Sequence, residues 1–134
     1  MWSVFKENYT QIKEVCDELK LKYVEVHGEI SNEQKFENVD KFNNDNQIRV
    51  FIGHPGSGGI GINLVSSTYS IFYSRSFNLG DYLQAKARNH RGGQTKKVTH
   101  IHLSTKNSLD EKITNALANK IELSEKLLID LAKQ

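Results

Sequence analysis

Short β-rich runs alternate with helical segments along the whole sequence, and this alternation constrains the fold more than any other feature. The apolar runs that predict strands are residues 2–5, 23–26, 48–52, 69–73 and 98–103. Between them, apolar side chains recur at helical spacing, as Ile12, Val15, Cys16 and Leu19 do after the first run. Such alternation predicts an α/β domain with a mainly parallel sheet.

Two capping-box patterns indicate where helices begin. Ser31 with Gln34, and Ser108 with Glu111, carry the required residue types at the required spacing. The side chains expected to face the core are Phe36, Val39 and Phe42 in the first helix and Ile113, Leu117, Ile121, Leu128 and Leu131 in the second. The second helix is long, and packing of its apolar stripe on its own domain is the favoured arrangement.

Size and composition exclude several classes of protein. The 134 residues match one domain, so residues 1–134 are expected to form a single unit. No apolar run reaches the roughly 18 residues that a membrane span needs. The single cysteine excludes an internal disulfide, and no secretory signal is evident, so the chain is expected to be cytoplasmic.

The charge is distributed unevenly, although the whole chain is only +2. Residues 48–106 hold eight lysines and arginines against one acid, Asp81, whereas the flanking segments are acidic. A stretch almost free of carboxylates indicates a polyanionic partner, either nucleic acid or nucleotide phosphate.

Four glycines occur within the six residues 56–61, directly after a predicted strand. The pattern formally matches a dinucleotide-binding loop, but too few residues follow Gly61 for the crossover helix of that fold. The chain also has no Walker A lysine and no acidic pair at a strand end, so it lacks the usual means of holding a nucleotide triphosphate alone. A tight turn that allows positive φ is the alternative, and it accounts for two glycines more easily than for four within six residues.

A basic helix follows the next strand, with Asn78 and Asp81 as its caps and Gly92-Gly93 as its end. Arg88 and Arg91 lie three residues apart, share one face and could converge on one anion. A solvated basic helix end, favoured by the helix dipole, explains the same spacing equally well.

Both segments together resemble a known family. Gln84, Arg88, Arg91 and Gln94 fit Gln-x-x-x-Arg-x-x-Arg-x-Gly-Gln, and Gly-Gly-x-Gly-Ile-Asn-Leu precedes them by about 20 residues. This order resembles motifs VI and V of superfamily 2 helicases, and in particular Swi/Snf-type DNA-dependent ATPases of the compact kind found in phages. The resemblance implies a RecA-like (P-loop NTPase-type) three-layer domain with about five to six strands and a long C-terminal helix.

The resemblance also implies roles for individual residues. Arg88 and Arg91 would be catalytic arginine fingers for ATP hydrolysis. The nucleotide side would comprise Gln84, Gly59, Gly61 and Asn63, and the nucleic-acid side would comprise Ser57, Gly58, Lys96 and Lys97. The chain would be the second motor lobe of an ATP-dependent DNA helicase or translocase, without a metal site of its own. It would be inactive alone, because it lacks Walker A and B motifs, and ATP and Mg²⁺ would be held mainly by an N-terminal lobe.

The implied partners are that N-terminal lobe and duplex DNA, in a bacterial or phage-infected cell. Two departures from the family pattern bear on this. His54-Pro replaces the residues that usually open motif V, which removes a basic DNA contact, and Ala87 replaces the usual acid. The second lobe of an RNA helicase and a non-catalytic binding module remain as alternatives.

Two further candidates have simpler explanations. His100 and His102 share a strand face and could begin a metal site, but no third ligand is near in sequence. Cys16 lies on the apolar face of its helix, where a small buried hydrophobe is the expected state.

Overall fold

The computed structural model describes residues 1–57, 62–89 and 94–133. The described helices and strands, in chain order, are α1 (Lys6–Glu18), β1 (Lys22–Val26), α2 (Asn32–Asn44), β2 (Ile48–Gly53), β3 (Tyr69–Phe72), α3 (Leu79–Ala87), β4 (Thr99–His102) and α4 (Leu109–Ala132). A short 3₁₀ turn, Pro55–Ser57, follows β2. The predicted α/β alternation is therefore observed.

The strands form two parallel pairs, β1 with β2 and β3 with β4. Trp2 lies between the pairs and makes parallel bridges to Gly53 of β2 and Phe72 of β3. The Ser3 amide donates to Gly53 O at 3.0 Å, and the Trp2 amide donates to Ile71 O at 2.8 Å. The strand predicted at residues 2–5 is thus reduced to a bridge, and the described residues hold four strands rather than five or six.

Helices cover both faces of these strands. Phe51 belongs to a large apolar cluster with Phe72 and Leu117, against which α2, α3 and α4 pack. The next residue, Ile52, points the other way and joins a smaller cluster with Cys16 and other residues of α1. Consecutive strand residues alternate in direction, so helices pack on both faces of these strands.

The two predicted capping boxes form only in part. Ser31 Oγ accepts a hydrogen bond from the Gln34 amide at 3.3 Å, but the Gln34 side chain donates to Asn38 instead of returning to Ser31. Ser108 Oγ accepts from the Asp110 amide at 3.1 Å, so Glu111 takes no part as a box partner. The helices nevertheless begin where the capping residues predicted.

Predicted burial is wrong at three side chains. Phe36 is 59% exposed, whereas Asn38 of the same helix faces β1 and donates to Glu25 O at 2.8 Å. Leu128 and Leu131 are 68% and 63% exposed, because only the first half of α4 packs on the strands. The buried part of α4 contains Ile113 and Leu117, as predicted.

A cavity of about 630 Å³ lies between α1 and the N-terminal ends of β2 and β3. Its walls include Ile12, Cys16, Val50 and Ile71. No helix in the described ranges is long and apolar enough to cross a membrane.

Candidate functional site

The segment before the glycine loop is fixed by close packing at the end of β2. A Cβ on Gly53 would lie 2.7 Å from Phe51 Cε1 and 2.8 Å from Trp2 Cζ3, so any other residue would displace an aromatic ring. Beyond it, the Gly56 amide donates to Nδ1 of His54 at 2.8 Å. The predicted site residues Gly58, Gly59 and Gly61 lie outside the described residues, as does the side chain of Ser57.

The segment that leaves the glycine loop, residues 62–67, is anchored from both sides, and we call it the loop exit. Ile62 and Leu64 are each 4% exposed and belong to the large core cluster. Asn63, a predicted nucleotide contact, lies between them on the surface. Its carbonyl accepts from Asn43 Nδ2 of α2 at 2.7 Å, and its Oδ1 accepts from the Val65 amide at 3.2 Å.

Arg88, at the C-terminal end of α3, packs directly against the loop exit. It is 4% exposed, and its Nη1 donates to Ile62 O at 3.4 Å. In the reverse direction, the Leu64 amide donates to Arg88 O at 2.8 Å. The predicted helix to Arg91 ends earlier, at Ala87, with Arg88 as its C-cap. Arg91 itself lies outside the described residues.

Gln94 adds a second connection between the same two segments. Its Nε2 lies 2.9 Å from Val65 O, 3.1 Å from Ser67 O and 3.1 Å from Asn89 O. Its Oε1 accepts from the Lys96 amide at 3.1 Å. The sequence assigned no role to Gln94, although its place as the last residue of the Gln-x-x-x-Arg-x-x-Arg-x-Gly-Gln pattern could have indicated one.

The remaining predicted residues lie on the surface. Gln84 is exposed on α3, and Lys96 and Lys97 are exposed just before β4. The structure therefore brings Arg88 to the loop exit, whereas these three side chains are left facing solvent.

The histidines of β4 have structural contacts. His102 Nε2 lies 2.8 Å from the Tyr82 hydroxyl, and the His102 ring stacks on Phe72 at 4.9 Å. Burial, with the positive charges of Arg75 and Lys86, lowers the pKa of His102 to about 4. In the parts of the chain that the structure describes, no three His, Cys, Asp or Glu side chains gather as a metal site.

Cys16 is 3% exposed among the apolar residues of the smaller cluster, which confirms the predicted buried state. Burial raises the pKa of its thiol, so the reactive thiolate is disfavoured.

Comparison with known proteins places these motifs in a family. The family described as "Helicase conserved C-terminal domain" matches residues 2–93. The ATP-dependent helicase FUN30 of Saccharomyces cerevisiae is 35% identical over 134 residues, which is 100% of this chain and 12% of that protein. The human lymphoid-specific helicase is 35% identical over 118 residues, which is 88% of this chain and 14% of that protein.

A solved structure described as the C-terminal part of the Fun30 ATPase domain has a similar fold. It superposes with a TM-score of 0.81 at 36% identity, covering 87% of this chain and 37% of that one. This likeness supports the predicted RecA-like fold.

The same comparisons correct the predicted source and location. The relatives named above are yeast and human proteins, and the chain spans only about an eighth of their length. The predicted relation to phage proteins is not supported, and the predicted bacterial or phage-infected cell is wrong.

Proposed function

The chain belongs to the family of helicase conserved C-terminal domains, and from this premise we propose that it is the second motor lobe of a Swi/Snf-type, ATP-dependent DNA translocase. A lobe of this family pairs with an N-terminal lobe and takes part in nucleic-acid binding. In the proposal, ATP and Mg²⁺ lie in the cleft between the lobes, and duplex DNA lies across both.

One observation carries the proposal: the loop exit and the end of the arginine helix are joined into one unit. Arg88 donates to Ile62 O, Leu64 donates to Arg88 O, and Gln94 contacts carbonyls on both segments. In the proposed motor, the glycine loop responds to DNA and the arginine helix responds to ATP. Because the loop exit and the arginine helix are hydrogen-bonded to each other, a shift of one segment on binding DNA would move the other segment, which contacts ATP.

The two arginines would then act differently. Arg91 would supply positive charge to the γ-phosphoryl group as negative charge develops there. Arg88 would support that action from a buried position, because its guanidinium contacts the loop exit. Gln84, Gly59, Gly61 and Asn63 would form the nucleotide side of this surface, and Ser57, Gly58, Lys96 and Lys97 would form the DNA side.

In the proposal, this lobe does not hold the metal itself. Mg²⁺ prefers carboxylate oxygens and phosphate oxygens at near-ideal octahedral geometry. Asp81 is the single acid in residues 48–106, and it lies in the first turn of α3, where its amide donates to Oδ1 of the N-cap Asn78 at 3.1 Å. The proposed Mg²⁺ ligands are therefore ATP and the N-terminal lobe.

The test is DNA-stimulated ATP hydrolysis by the polypeptide that joins this chain to its N-terminal lobe. Arg91→Ala should lower the stimulated rate by roughly 10³-fold or more, which is the scale of an arginine finger. Arg88→Ala should also lower the DNA-stimulated rate of ATP hydrolysis, and it should lower the free energy of unfolding as well. Arg49→Ala is the matched control, because Arg49 is exposed near the N-terminal end of β2.

The outcomes separate the proposal from its alternatives. Retention of the stimulated rate in both Arg88→Ala and Arg91→Ala would contradict the finger assignment. Hydrolysis by residues 1–134 alone would contradict the need for a second lobe. Stimulation by RNA but not by duplex DNA would replace the DNA assignment with an RNA helicase.

A further inference from the structure

A polar cavity of about 510 Å³ lies at the C-terminal ends of β3 and β4, beside the first turns of α4. We call it the Arg75 pocket, and its lining residues are Arg75, His102, Ser104, Glu111, Thr114 and Asn115. The carboxyl ends of parallel strands are the usual place for ligand sites in α/β folds. Its volume falls within the range of ligand pockets.

Arg75 is the one buried charge in this lining. It is 9% exposed, its Nη2 donates to Thr114 Oγ1 at 2.6 Å, and its guanidinium carbon lies 5.7 Å from the centre of the Tyr82 ring. A guanidinium has five N–H donors in a planar fork. The hydrogen bonds to Thr114 and to the Tyr82 hydroxyl use two of them, so the fork retains capacity for a further acceptor.

No described carboxylate forms an ion pair with Arg75. Glu111 lines the same pocket, and Asp81 lines a small adjoining one, yet neither appears in an ion pair with it. Burying a cation without an opposite charge is costly, and buried charges are normally paired. An anionic ligand in the pocket would supply the missing charge.

The surroundings of Arg75 favour an anion with a single charge. Lys86 lies 5.5 Å from the Tyr82 ring centre, on the same ring that Arg75 contacts, and makes the region positive. The Glu111 carboxylate at the pocket wall offsets part of the positive charge of Arg75 and Lys86, and it would repel a dianion more strongly than a monoanion. A phosphodiester carries one negative charge, whereas free phosphate and nucleotide phosphates carry more.

We propose that the Arg75 pocket binds a backbone phosphate of nucleic acid through the Arg75 fork. This inference rests on the proposed function, since it adds a contact to the DNA surface of the same lobe. Arg75 also borders Pro55, which follows β2, so the pocket lies at the same sheet edge as the C-terminal end of β2.

The test measures duplex DNA binding by fluorescence anisotropy, using the two-lobed polypeptide at salt concentrations between about 50 and 200 mM. Arg75→Met should weaken binding equally for all sequences and reduce the slope of log K against log salt by about 0.9, the value for one phosphate contact. Arg49→Met is the control, because Arg49 lies towards the opposite ends of the strands. Its salt slope should equal that of the wild type.

Glu111→Gln tests the same pocket without removing the buried arginine. Loss of the opposing carboxylate should tighten duplex binding while leaving the unfolding midpoint unchanged. If Glu111 is instead the internal partner of Arg75, Glu111→Gln will lower stability and leave DNA affinity unaltered, which overturns the proposal.

Inorganic phosphate at constant ionic strength is the second probe, followed through the NMR signal of the Arg75 Nε–H group. A shift of that signal with duplex DNA supports the proposal. A shift with inorganic phosphate alone overturns the backbone assignment in favour of a free phosphate. Wild-type failure to bind any duplex refutes the proposed function, whereas binding that Arg75→Met leaves unchanged refutes only the pocket.

Discussion

Replacing Gln94 by alanine removes the side chain that joins the loop exit to the end of the arginine helix. Its amide nitrogen lies 2.9 Å from Val65 O and 3.1 Å from both Ser67 O and Asn89 O. An amide nitrogen carries only two hydrogens, so the three carbonyls share two donors. Its oxygen adds one hydrogen bond from the Lys96 amide, which gives three full hydrogen bonds at any moment.

The expected loss follows from that count. A typical internal hydrogen bond contributes about 0.5–1.5 kcal/mol net. Gln94 is only half-buried, so water can replace part of the loss, and Gln94→Ala should lower the free energy of unfolding by about 1–3 kcal/mol. Gln94→Glu should cost more, because a carboxylate oxygen would face three carbonyl oxygens where the wild type has donors.

Urea unfolding of the 134-residue chain measures both losses. The single tryptophan, Trp2, is 4% exposed and bridges the two strand pairs, so its fluorescence reports on global unfolding. Gln47→Ala is the matched control, because Gln47 is exposed and its side chain accepts a hydrogen bond from the Lys22 ammonium at 2.8 Å, while its backbone amide, which the substitution keeps, donates to Asp45 Oδ1. Gln47→Ala should change the free energy of unfolding by no more than about 0.5 kcal/mol.

Two results would refute the reasoning about Gln94. A loss for Gln94→Ala no larger than that of the Gln47 control would mean that its amide contacts are replaced fully by water. Equal losses for Gln94→Ala and Gln94→Glu would mean that the carbonyls do not face the side chain in solution.

Three further predictions concern the core, His102 and Cys16. Leu117→Ala should lower the free energy of unfolding by about 2–5 kcal/mol because Leu117 is 1% exposed, whereas Leu127→Ala, at 55% exposure, should change it by less than about 0.5; urea titration checks both. The pKa of His102 is about 4 in the folded chain and about 6.5 in the unfolded chain, so the unfolded state binds the proton more tightly. The free energy of unfolding should therefore be highest above about pH 6.5 and should fall as the pH decreases from 6.5 towards 4. Unfolding midpoints of His102→Gln should therefore vary less with pH than those of the wild type, and equal dependence would contradict the assignment. Cys16 should react with iodoacetamide much more slowly in the folded chain than in urea, and equal rates would show that the site is open.

The sequence alone predicted the structure correctly where the structure depends on the spacing of neighbouring residues. The apolar run at 48–52 became β2, and Asn78 caps α3 through the Asp81 amide at 3.1 Å. A capping side chain and its target are three residues apart, so the pattern alone contains the interaction. The alternation of strands and helices likewise follows from short-range periodicity.

The sequence alone did not predict contacts that join segments far apart in the chain. The side chain of Gln94 meets Val65 from 29 residues away, and nothing in the local pattern indicates that pairing. Trp2 fills one position between β2 and β3, so a run that looks like a strand contributes only a bridge. Phe36 has the correct helical spacing for burial but is exposed. The side of α2 that faces β1 includes Asn38, which donates to Glu25 O, and this contact between distant segments is not visible in the local sequence.

The burial of Arg88 changes how mutations in this lobe should be interpreted. A residue that only touched ATP could be removed with loss of hydrolysis alone, but Arg88 also contacts the backbone of the loop exit at Ile62 and Leu64. Its removal must therefore affect the proposed DNA response together with the proposed ATP response. Arg88→Lys distinguishes the two contributions, because it keeps the positive charge but loses the planar fork. Hydrolysis retained by Arg88→Lys with weakened DNA stimulation would assign Arg88 to the connection between the motifs rather than to direct contact with phosphate.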